Sequence, residues 1–431
     1  MRKRLSTGLI LLVLAVPQAM FVFPTTAAAP VTLQYWLWDG RLKPATQDMV
    51  DAFTRTHPHI RVRIEAPPSY YAKLLAAIAA GSGPDVFWMN GPTFKTWARR
   101  GLLQDLSSFI KADPAAKASL DAMWPVITKF YKVKTGTYVI PRGYDTTAMI
   151  YNESLMDKHG LVRPAQIEDT WDWNTLLSYG KKLTVKDGAK TTQYGLWTTG
   201  WDQTHWLNYL YAVGGEVFRL AGDGSEQCVL DSPEAIEAIQ WVTDRKLVDG
   251  MSPASADNWQ SMLMTGKLAM TSMGDWELNI LAALKTKAPW NVAQFPIHPR
   301  TGKRGSVIHG YGEAMSPASK HKREAWQLMA FMASKEAQVI LGKSGAEIPA
   351  RLDADDFFFS PKLSPPNRIA FKKAADYAGF YPSSNYIAYD TWVGPVNQGI
   401  QQAYNAKVSV EQALSNVVKT VRALYKKEAG R

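Results

Sequence analysis

Residues 60–89, IRVRIEAPPSYYAKLLAAIAAGSGPDVFWM, decide the fold of this chain. Ile60 to Ile64 alternates apolar and basic residues, which is the period of a half-exposed strand. Tyr70 to Ala80 is an alanine-rich helical run that stops at Gly81, a residue able to adopt the left-handed conformation found after helices. Asp85 to Met89 is a short apolar strand. A helix between two strands predicts a right-handed crossover and parallel pairing.

The same alternation of strands and helices continues on both sides of this stretch. A strand from Val31 to Trp38 and a helix from Pro44 to His57 precede it. Further along we predict strands at 137–140 and 148–151 around a turn-rich segment at 141–146, and helices at 173–183, 232–246 and 404–427. Ser232 is a good helix cap, with Pro233 in the first turn. The chain therefore reads as an α/β protein.

The first 29 residues have the three-part layout of a secretory signal peptide. Arg2, Lys3 and Arg4 precede an apolar stretch and a run of alanines at 27–29. The stretch is shorter than the roughly 20 residues that span a bilayer, so we expect cleavage, after Ala27 or Ala28, and an uncleaved anchor is the alternative. The only cysteine, Cys228, lies far from the signal and cannot anchor a lipid. We expect a soluble periplasmic protein.

Size and charge bound the class of protein. About 400 residues remain after the signal, which favours two domains over one. The net charge is +11, and it falls to +8 when the three basic residues of the signal are removed. No block of five basic residues occurs, so we expect no nucleic-acid partner. Cys228 has no partner for a disulfide and is expected to be buried.

The sequence contains no complete phosphate-binding loop and no set of residues spaced to bind a metal. Gly342-Lys343-Ser344 resembles the end of a phosphate-binding loop, but Ala337 stands where the first glycine is required. His57 and His59 have no third ligand at a suitable spacing, so we expect no metal and no cofactor. A glycosidase would need two facing carboxyls, and the acidic residues near tryptophans leave this alternative open. These residues are Asp39, Asp145, Asp202, Asp275 and Glu277.

The sixteen tryptophans divide by their position. Those at 97, 124, 241 and 326 fall in helical patterns and are expected in the core. Others lie where strands give way to loops, and an indole there offers a flat face to the C–H face of a sugar and an N–H to a hydroxyl. Trp36, Trp38 and Trp88 are the clearest cases. We therefore expect aromatic platforms around a cleft.

Taken together, the segments resemble the extracellular solute-binding proteins that deliver ligands to ABC importers, in particular the carbohydrate-binding group typified by maltose-binding protein. The resemblance spans essentially the whole chain after the signal. It depends on the order of these segments: 31–38, 53–58 (FTRTHP), 60–64, 75–89, 144–152 (YDTTAMIYN), 170–173 (TWDW), 266–276 (GKLAMTSMGDW), 310–317 (GYGEAMSP) and 325–332 (AWQLMAFM). Trp173 departs from the glutamate that many relatives have there.

The resemblance implies two α/β lobes, each a mainly parallel sheet flanked by helices. The first lobe would take residues 30–141 and 313–349, and the second 146–308 and 352–431. A hinge would consist of 142–145, 308–312 and 348–351. It also implies a ligand site between the lobes, a membrane permease as partner, and no catalysis. We expect a monomer.

The candidate ligand-binding residues follow from strand ends, the hinge and the matching segments. They are Trp36, Trp38, Asp39, Trp88, Asn90, Tyr144, Asp145, Trp201, Asp275, Trp276, Tyr311 and Arg351. Trp206, Trp259 and Trp392 are further aromatic candidates. We expect capture of a sugar or oligosaccharide by lobe closure. The alternatives are a non-sugar ligand such as a polyamine, or an exported glycoside hydrolase.

Overall fold

The computed structural model of the protein describes residues 30–133, 136–222, 224–284, 288–360 and 362–429. The predicted signal peptide, residues 1–29, lies outside the described residues. The two larger sheets of the described chain have seven and three strands.

The first sheet begins as the sequence predicts. β1 (Val31–Trp36), α1 (Lys43–Thr56), β2 (Ile60–Glu65), α2 (Tyr70–Ala79) and β3 (Val86–Asn90) follow one another. β1 pairs in parallel with both β2 and β3 and therefore lies between them. Gly81 has a φ of +66° just beyond α2, which confirms its predicted conformation.

A helical segment then leads to a long strand. It comprises α3 (Gly91–Arg99), α4 (Ser107–Ala112), α5 (Pro114–Asp121), α6 (Pro125–Phe130), β4 (Lys132–Val133) and β5 (Gly136–Thr137). β6 (Val139–Asp145) and β7 (Thr147–Asn152) follow, and every residue of both strands is buried.

The second sheet and its helices occupy the middle of the chain. The elements are α7 (Glu153–Lys158), α8 (Trp173–Lys182), β8 (Val185–Asp187), β9 (Lys190–Gln193), α9 (Leu207–Val213), β10 (Phe218–Leu220), β11 (Glu226–Cys228), α10 (Pro233–Leu247), α11 (Trp259–Met264), β12 (Met270–Gly274), α12 (Glu277–Ala283) and β13 (Trp290–Ala293). A π-helical turn, Asp202–Trp206, precedes α9. Ser232 caps α10 as predicted, and the side chain of Asp172 caps α8.

The chain then returns to the first sheet and ends in helices. The elements are β14 (Val307–Met315), α13 (Lys322–Met332), α14 (Lys335–Ser344), β15 (Ile348–Pro349), α15 (Ile369–Ala375), β16 (Gly379–Phe380), α16 (Tyr389–Tyr404) and α17 (Val410–Ala429). The single helix predicted for 404–427 is wrong at its start. Tyr404 ends α16, and Ala406 has a φ of +56°, which breaks the helix before α17.

The seven-stranded sheet has the order β15-β6-β14-β3-β1-β2, with β16 beside β14. The turn predicted at 141–146 is wrong, because β6 continues to Asp145 and pairs with β14. The register of β14 shifts between Tyr311 and Gly312, opposite Pro141. Proline has no N–H to donate to a ladder, and such an irregularity accommodates it.

The three-stranded sheet corrects the prediction of mainly parallel sheets. β7 lies between β12 and β13 and is antiparallel to both. In the seven-stranded sheet the pairs that β14 makes with β3 and β6 are also antiparallel. Hydrophobic periodicity locates strands but does not give their direction, so the α/β class and the parallel pairs of the first crossovers were predictable and the directions of the later strands were not.

The described hydrophobic residues form two clusters, one mainly around each of these sheets. Trp97 and Trp326 are buried, and Trp124 and Trp241 pack against the clusters, so all four belong to the core as predicted. Cys228 is also buried, as expected.

A buried charged network joins the central strands. Arg142 on β6 is fully buried, and its guanidinium donates to Glu347 at 2.6 Å and to Glu313 at 3.2 Å. It also donates to the hydroxyl groups of Tyr35 and Thr46. Charges this deep are tolerated only when they are paired and hydrogen-bonded, so the network ties β6 to β1, β14 and α1.

Candidate functional site

A cavity of about 1140 Å³ lies between the two larger sheets. Its wall on the first sheet includes Trp38, Asp39, Arg41, Tyr71, Trp88 and Asn90, while the second side includes Trp197, Trp201, Gln203, His205, Trp259, Asp275, Trp276 and Glu277. Asp145, His309, Tyr311 and Glu347 line its base, and Tyr381, Tyr389 and Asp390 also line it. The volume exceeds the usual range for small-molecule pockets, so more than one sugar ring has room.

Three stacked rings form the wall on the first sheet. Trp38 follows the end of β1 and stacks on Trp88 at 6.2 Å between centroids, and Trp88 stacks on Tyr311 at 5.6 Å. Trp38 is 50% exposed, whereas Trp88 is only 5% exposed. The open indole face therefore belongs to Trp38, and the rings behind it fix its orientation. The indole N–H of Trp88 has no partner among the described residues.

Two polar candidates on this wall already have local roles. The Asp39 carboxylate accepts the backbone N–H of Arg41 at 2.8 Å and its Nε at 2.7 Å. Burial alone would raise the pKa of Asp39, but the hydrogen bonds and charge of Arg41 hold it below its ordinary value. Asn90 caps α3 by accepting the N–H of Thr93. Its Oδ1 is thus engaged, and its NH₂ group remains as a donor.

Two carboxyls meet at the base of the cavity. Asp145 at the end of β6 accepts from Gln203 Nε2 at 2.9 Å and contacts His309 Nδ1 at 3.0 Å. Asp275, just after β12, accepts the backbone N–H of Thr146 at 3.0 Å. Burial raises the pKa of Asp145. Burial, together with the nearby charge of Asp145, raises the pKa of Asp275 well above its ordinary value. The base thus joins groups from both sheets.

The wall on the second sheet offers two tryptophans. Trp201 is 57% exposed and precedes the π-helical turn. Trp276 is half-buried, and its ring lies close against Gly274, where an added Cβ would be 1.9 Å from Cζ3. Only glycine permits that approach. Nearby His205 is buried, which lowers its pKa to about 3 and keeps its imidazole neutral.

Three predicted site residues do not line the cavity. Trp36 is the last residue of β1 and packs against the core. Side chains two residues apart share a face only within a strand, and the strand ends at Trp36, so Trp36 does not lie beside Trp38. Tyr144 and Asp145 are neighbours on β6, so their side chains point to opposite faces of the strand. The ring of Tyr144 packs against that of Trp124, with 5.0 Å between the ring centroids. Arg351 is held by Asp353 at 2.9 Å and donates to the carbonyl of Ser119.

The other nine predicted residues do line it: Trp38, Asp39, Trp88, Asn90, Asp145, Trp201, Asp275, Trp276 and Tyr311. Of the further aromatic candidates, Trp259 lines the cavity, while Trp206 and Trp392 are fully buried. Sequence reasoning missed Arg41, Tyr71, Gln203, His309 and Tyr381. Tyr71 stands within a helical run, and Tyr381 is remote along the chain, so no local signal marks them. His309 is the exception, because it lies in the predicted hinge.

Comparison with known proteins identifies relatives over most of the chain. A family model described as bacterial extracellular solute-binding protein matches residues 39–339. The galactooligosaccharide-binding protein of Bacillus subtilis is 24% identical over 410 residues, covering 90% of this chain and 89% of that protein.

Solved structures share the fold at similar identity. An ABC substrate-binding protein of Listeria monocytogenes in complex with cycloalternan has a TM-score of 0.78 and 22% identity, covering 91% of this chain and 98% of that one. A solute-binding protein of Thermotoga lettingae bound with α-D-tagatose has a TM-score of 0.74 and 22% identity, with 91% and 99% coverage. These likenesses confirm the two-lobed α/β fold. In the described part of the chain, the helices are too short or too polar to cross a membrane.

Proposed function

Because this chain belongs to the bacterial extracellular solute-binding proteins, we propose that it captures a sugar or oligosaccharide and delivers it to the membrane permease of an ABC importer. The cavity is the observation that supports this most directly. Trp38 on one wall and Trp201 on the other are more than one-third exposed, half-buried Trp276 also lines the cavity, and carboxyl and amide groups lie among them. Indole faces cover the C–H faces of sugar rings, and the polar groups match hydroxyls.

Closure of two lobes is the proposed capture mechanism. The first lobe takes 30–141 and 313–349, the second 146–308 and 352–431. The hinge segments 142–145, 308–312 and 348–351 lie side by side, since Tyr144 is paired with both Gly310 and Ile348. Rotation there would change the width of the cavity. The ligand drives closure only if it binds the closed form more tightly than the open form.

The relatives favour a saccharide over the alternatives. The Bacillus subtilis relative is named for galactooligosaccharide, and the two solved structures hold cycloalternan and tagatose. All three are binding proteins by name, which supports binding without turnover. We further propose export to the periplasm through the signal at 1–29, without a lipid anchor, and a monomeric state.

A carbohydrate panel tests the proposal. Saturating ligand at 100 to 1,000 times the dissociation constant should stabilise the folded protein by about 3–4 kcal/mol, which thermal unfolding detects. Small-angle scattering should show a smaller radius of gyration with the same sugar. Chromatography of the recovered sugar should show no cleavage. Absence of both stabilisation and compaction across monosaccharides and α- and β-linked oligosaccharides would contradict the proposal, and cleavage would favour a hydrolase.

A further inference from the structure

Three consecutive residues, Asp275, Trp276 and Glu277, all line the cavity. They connect the end of β12 to the first residue of α12. The Trp276 ring is held against Gly274, Asp275 is buried and Glu277 is half-buried. We call these residues the 275–277 strip. An indole between two carboxylates suits an ammonium group, which it can bind by cation–π attraction and charge-assisted hydrogen bonds.

The whole cavity is acidic, although the chain has a net charge of +11. Among the described residues, its lining contains one guanidinium, that of Arg41, and six carboxyls. The carboxyls belong to Asp39, Asp145, Asp275, Glu277, Glu347 and Asp390. A lining of this sign attracts cations and disfavours anions.

Only half of these carboxyls have a basic partner. Asp39 contacts Arg41, Glu347 contacts Arg142 behind the wall, and Asp145 contacts His309.

Asp275, Glu277 and Asp390 form no ion pair with any described residue. Asp275 accepts only from a backbone N–H, and Glu277 accepts from Gln260 Nε2 at 3.0 Å. Two of the three unpaired carboxyls therefore lie in the 275–277 strip, and one of these two is buried. The charge of Arg368 acts on Asp275 and that of Arg41 acts on Glu277, but neither cation is in direct contact with these carboxyls. Burial and the charge of Asp145 raise the pKa of Asp275 and favour its protonated form, and a cation bound against it would favour release of that proton.

The cavity also contains donors that need oxygen acceptors. The indole N–H of Trp88 is buried and has no partner among the described residues. The NH₂ group of Asn90 is a second donor, since its Oδ1 is engaged by Thr93. A protonated polyamine offers donors but no acceptors and would leave these groups unsatisfied. A sugar with an amino group offers both.

We propose that the cavity binds a saccharide with a protonated amino group, and that this ammonium lies on the 275–277 strip. The proposal rests on the proposed function and narrows its ligand class. The ammonium would donate to the carboxylates of Asp275 and Glu277 and contact the face of Trp276. Trp38 would cover a sugar ring, and Trp88 and Asn90 would donate to hydroxyl or ring oxygens.

Three trisaccharides with one β-1,4-linked backbone test this directly. They are the trimer of glucosamine, its fully N-acetylated form and cellotriose, which have ammonium, acetamide and hydroxyl groups at the same carbon. Titration calorimetry at a pH below the amine pKa should give the glucosamine trimer about tenfold higher affinity than the other two, because an ionic hydrogen bond is about twice as strong as a neutral one. Glucosamine and glucose are compared in the same way, and spermidine serves as a cation without acceptors.

Two substitutions that preserve shape locate the ammonium. Glu277→Gln and Asp275→Asn should each weaken binding of the glucosamine trimer severalfold more than they weaken binding of cellotriose, so that the preference for the glucosamine trimer falls. Asp121→Asn, at an exposed ion pair with Lys117, removes the same charge far from the cavity and should keep the preference. Circular dichroism and thermal unfolding establish that each variant is folded, and Glu277→Gln is sufficient should Asp275→Asn not fold.

The outcomes separate this inference from the proposed function. If neither glucosamine nor its trimer binds more tightly than the hydroxyl and acetamide analogues, the inference is wrong, while the proposed function stands if any saccharide of the wider panel stabilises the protein. Equal binding of spermidine would also overturn the inference, since it would indicate a site for cations in general. Retention of the full preference by both strip variants would refute the placement of the ammonium.

Discussion

Replacement of Trp38 by alanine should weaken sugar binding far more than it weakens the fold. Half of the indole is exposed, and that half faces the cavity. A tryptophan covers about 150–250 Å² when buried, so a ligand would cover about 100 Å² of Trp38. At about 25 cal/mol per Å² this contributes roughly 2–3 kcal/mol, and its loss corresponds to about thirtyfold to 150-fold weaker binding. The cost in folding should be about 2 kcal/mol, half that of a fully buried tryptophan.

Trp97→Ala is the matched control, because Trp97 lies on α3 near the same sheet but is 4% exposed. It should cost about 3–5 kcal/mol of folding free energy. Sugar affinity is measured by calorimetry at a temperature where both variants are folded, and unfolding free energy is measured by denaturant titration. Trp97→Ala should retain affinity for the same sugar. Unchanged affinity in Trp38→Ala, or equal loss in both variants, would refute the role of the open indole face.

Three further predictions follow from the geometry. Gly274→Ala should displace the Trp276 ring and lower sugar affinity about as much as Trp276→Ala. Gly394→Ala is the control, because its added Cβ meets no atom within 4 Å, and it should keep the affinity of the natural protein. If calorimetry gave Gly274→Ala and Gly394→Ala the same affinity, the packing argument would be wrong. Arg142→Met should lower the unfolding free energy by about 3–5 kcal/mol, because Glu313 and Glu347 stay buried without their counter-charge. Adding Glu313→Gln and Glu347→Gln to this variant should recover part of the lost unfolding free energy, as measured by denaturant titration. If nothing were recovered, the pairing argument would be refuted. The raised pKa of Asp275 means that the folded protein keeps a proton that the unfolded chain releases above about pH 4, so this group's contribution to stability is lost as pH rises above that value. Asp275→Asn, which does not titrate, should therefore gain stability relative to the natural protein as pH rises above about 4. A difference in unfolding free energy that does not change with pH would show that the pKa is ordinary.

Local signals were sufficient for much of the fold and for part of the site. The cap at Ser232 and the conformation of Gly81 depend on neighbours a few residues away. The parallel strands around β1 follow from strand–helix–strand units that are each continuous in sequence. For the same reason Trp38 and Trp88 could be placed at strand ends. What failed depended on partners remote in sequence. Residues 141–146 resemble a turn until β14 pairs with them, more than 160 residues later.

The site shows the same limit. Tyr381 and Tyr389 line the cavity although they lie near the far end of the chain, and no sequence pattern near them indicates it. Trp36 and Trp38 are two residues apart, and only the end of β1 between them decides that one packs in the core and the other faces the cavity. Side-chain direction at the last residue of a strand depends on where pairing stops, and β1 stops at Trp36.

The single cysteine makes this chain convenient for fluorescent labelling. Cys228 is buried, and burial raises the pKa of its thiol to about 11, so it is both shielded and protonated near neutral pH. A cysteine introduced at an exposed position on the cavity rim would react alone with a maleimide dye, without removal of the native thiol. A dye at that position would report on ligand binding in real time.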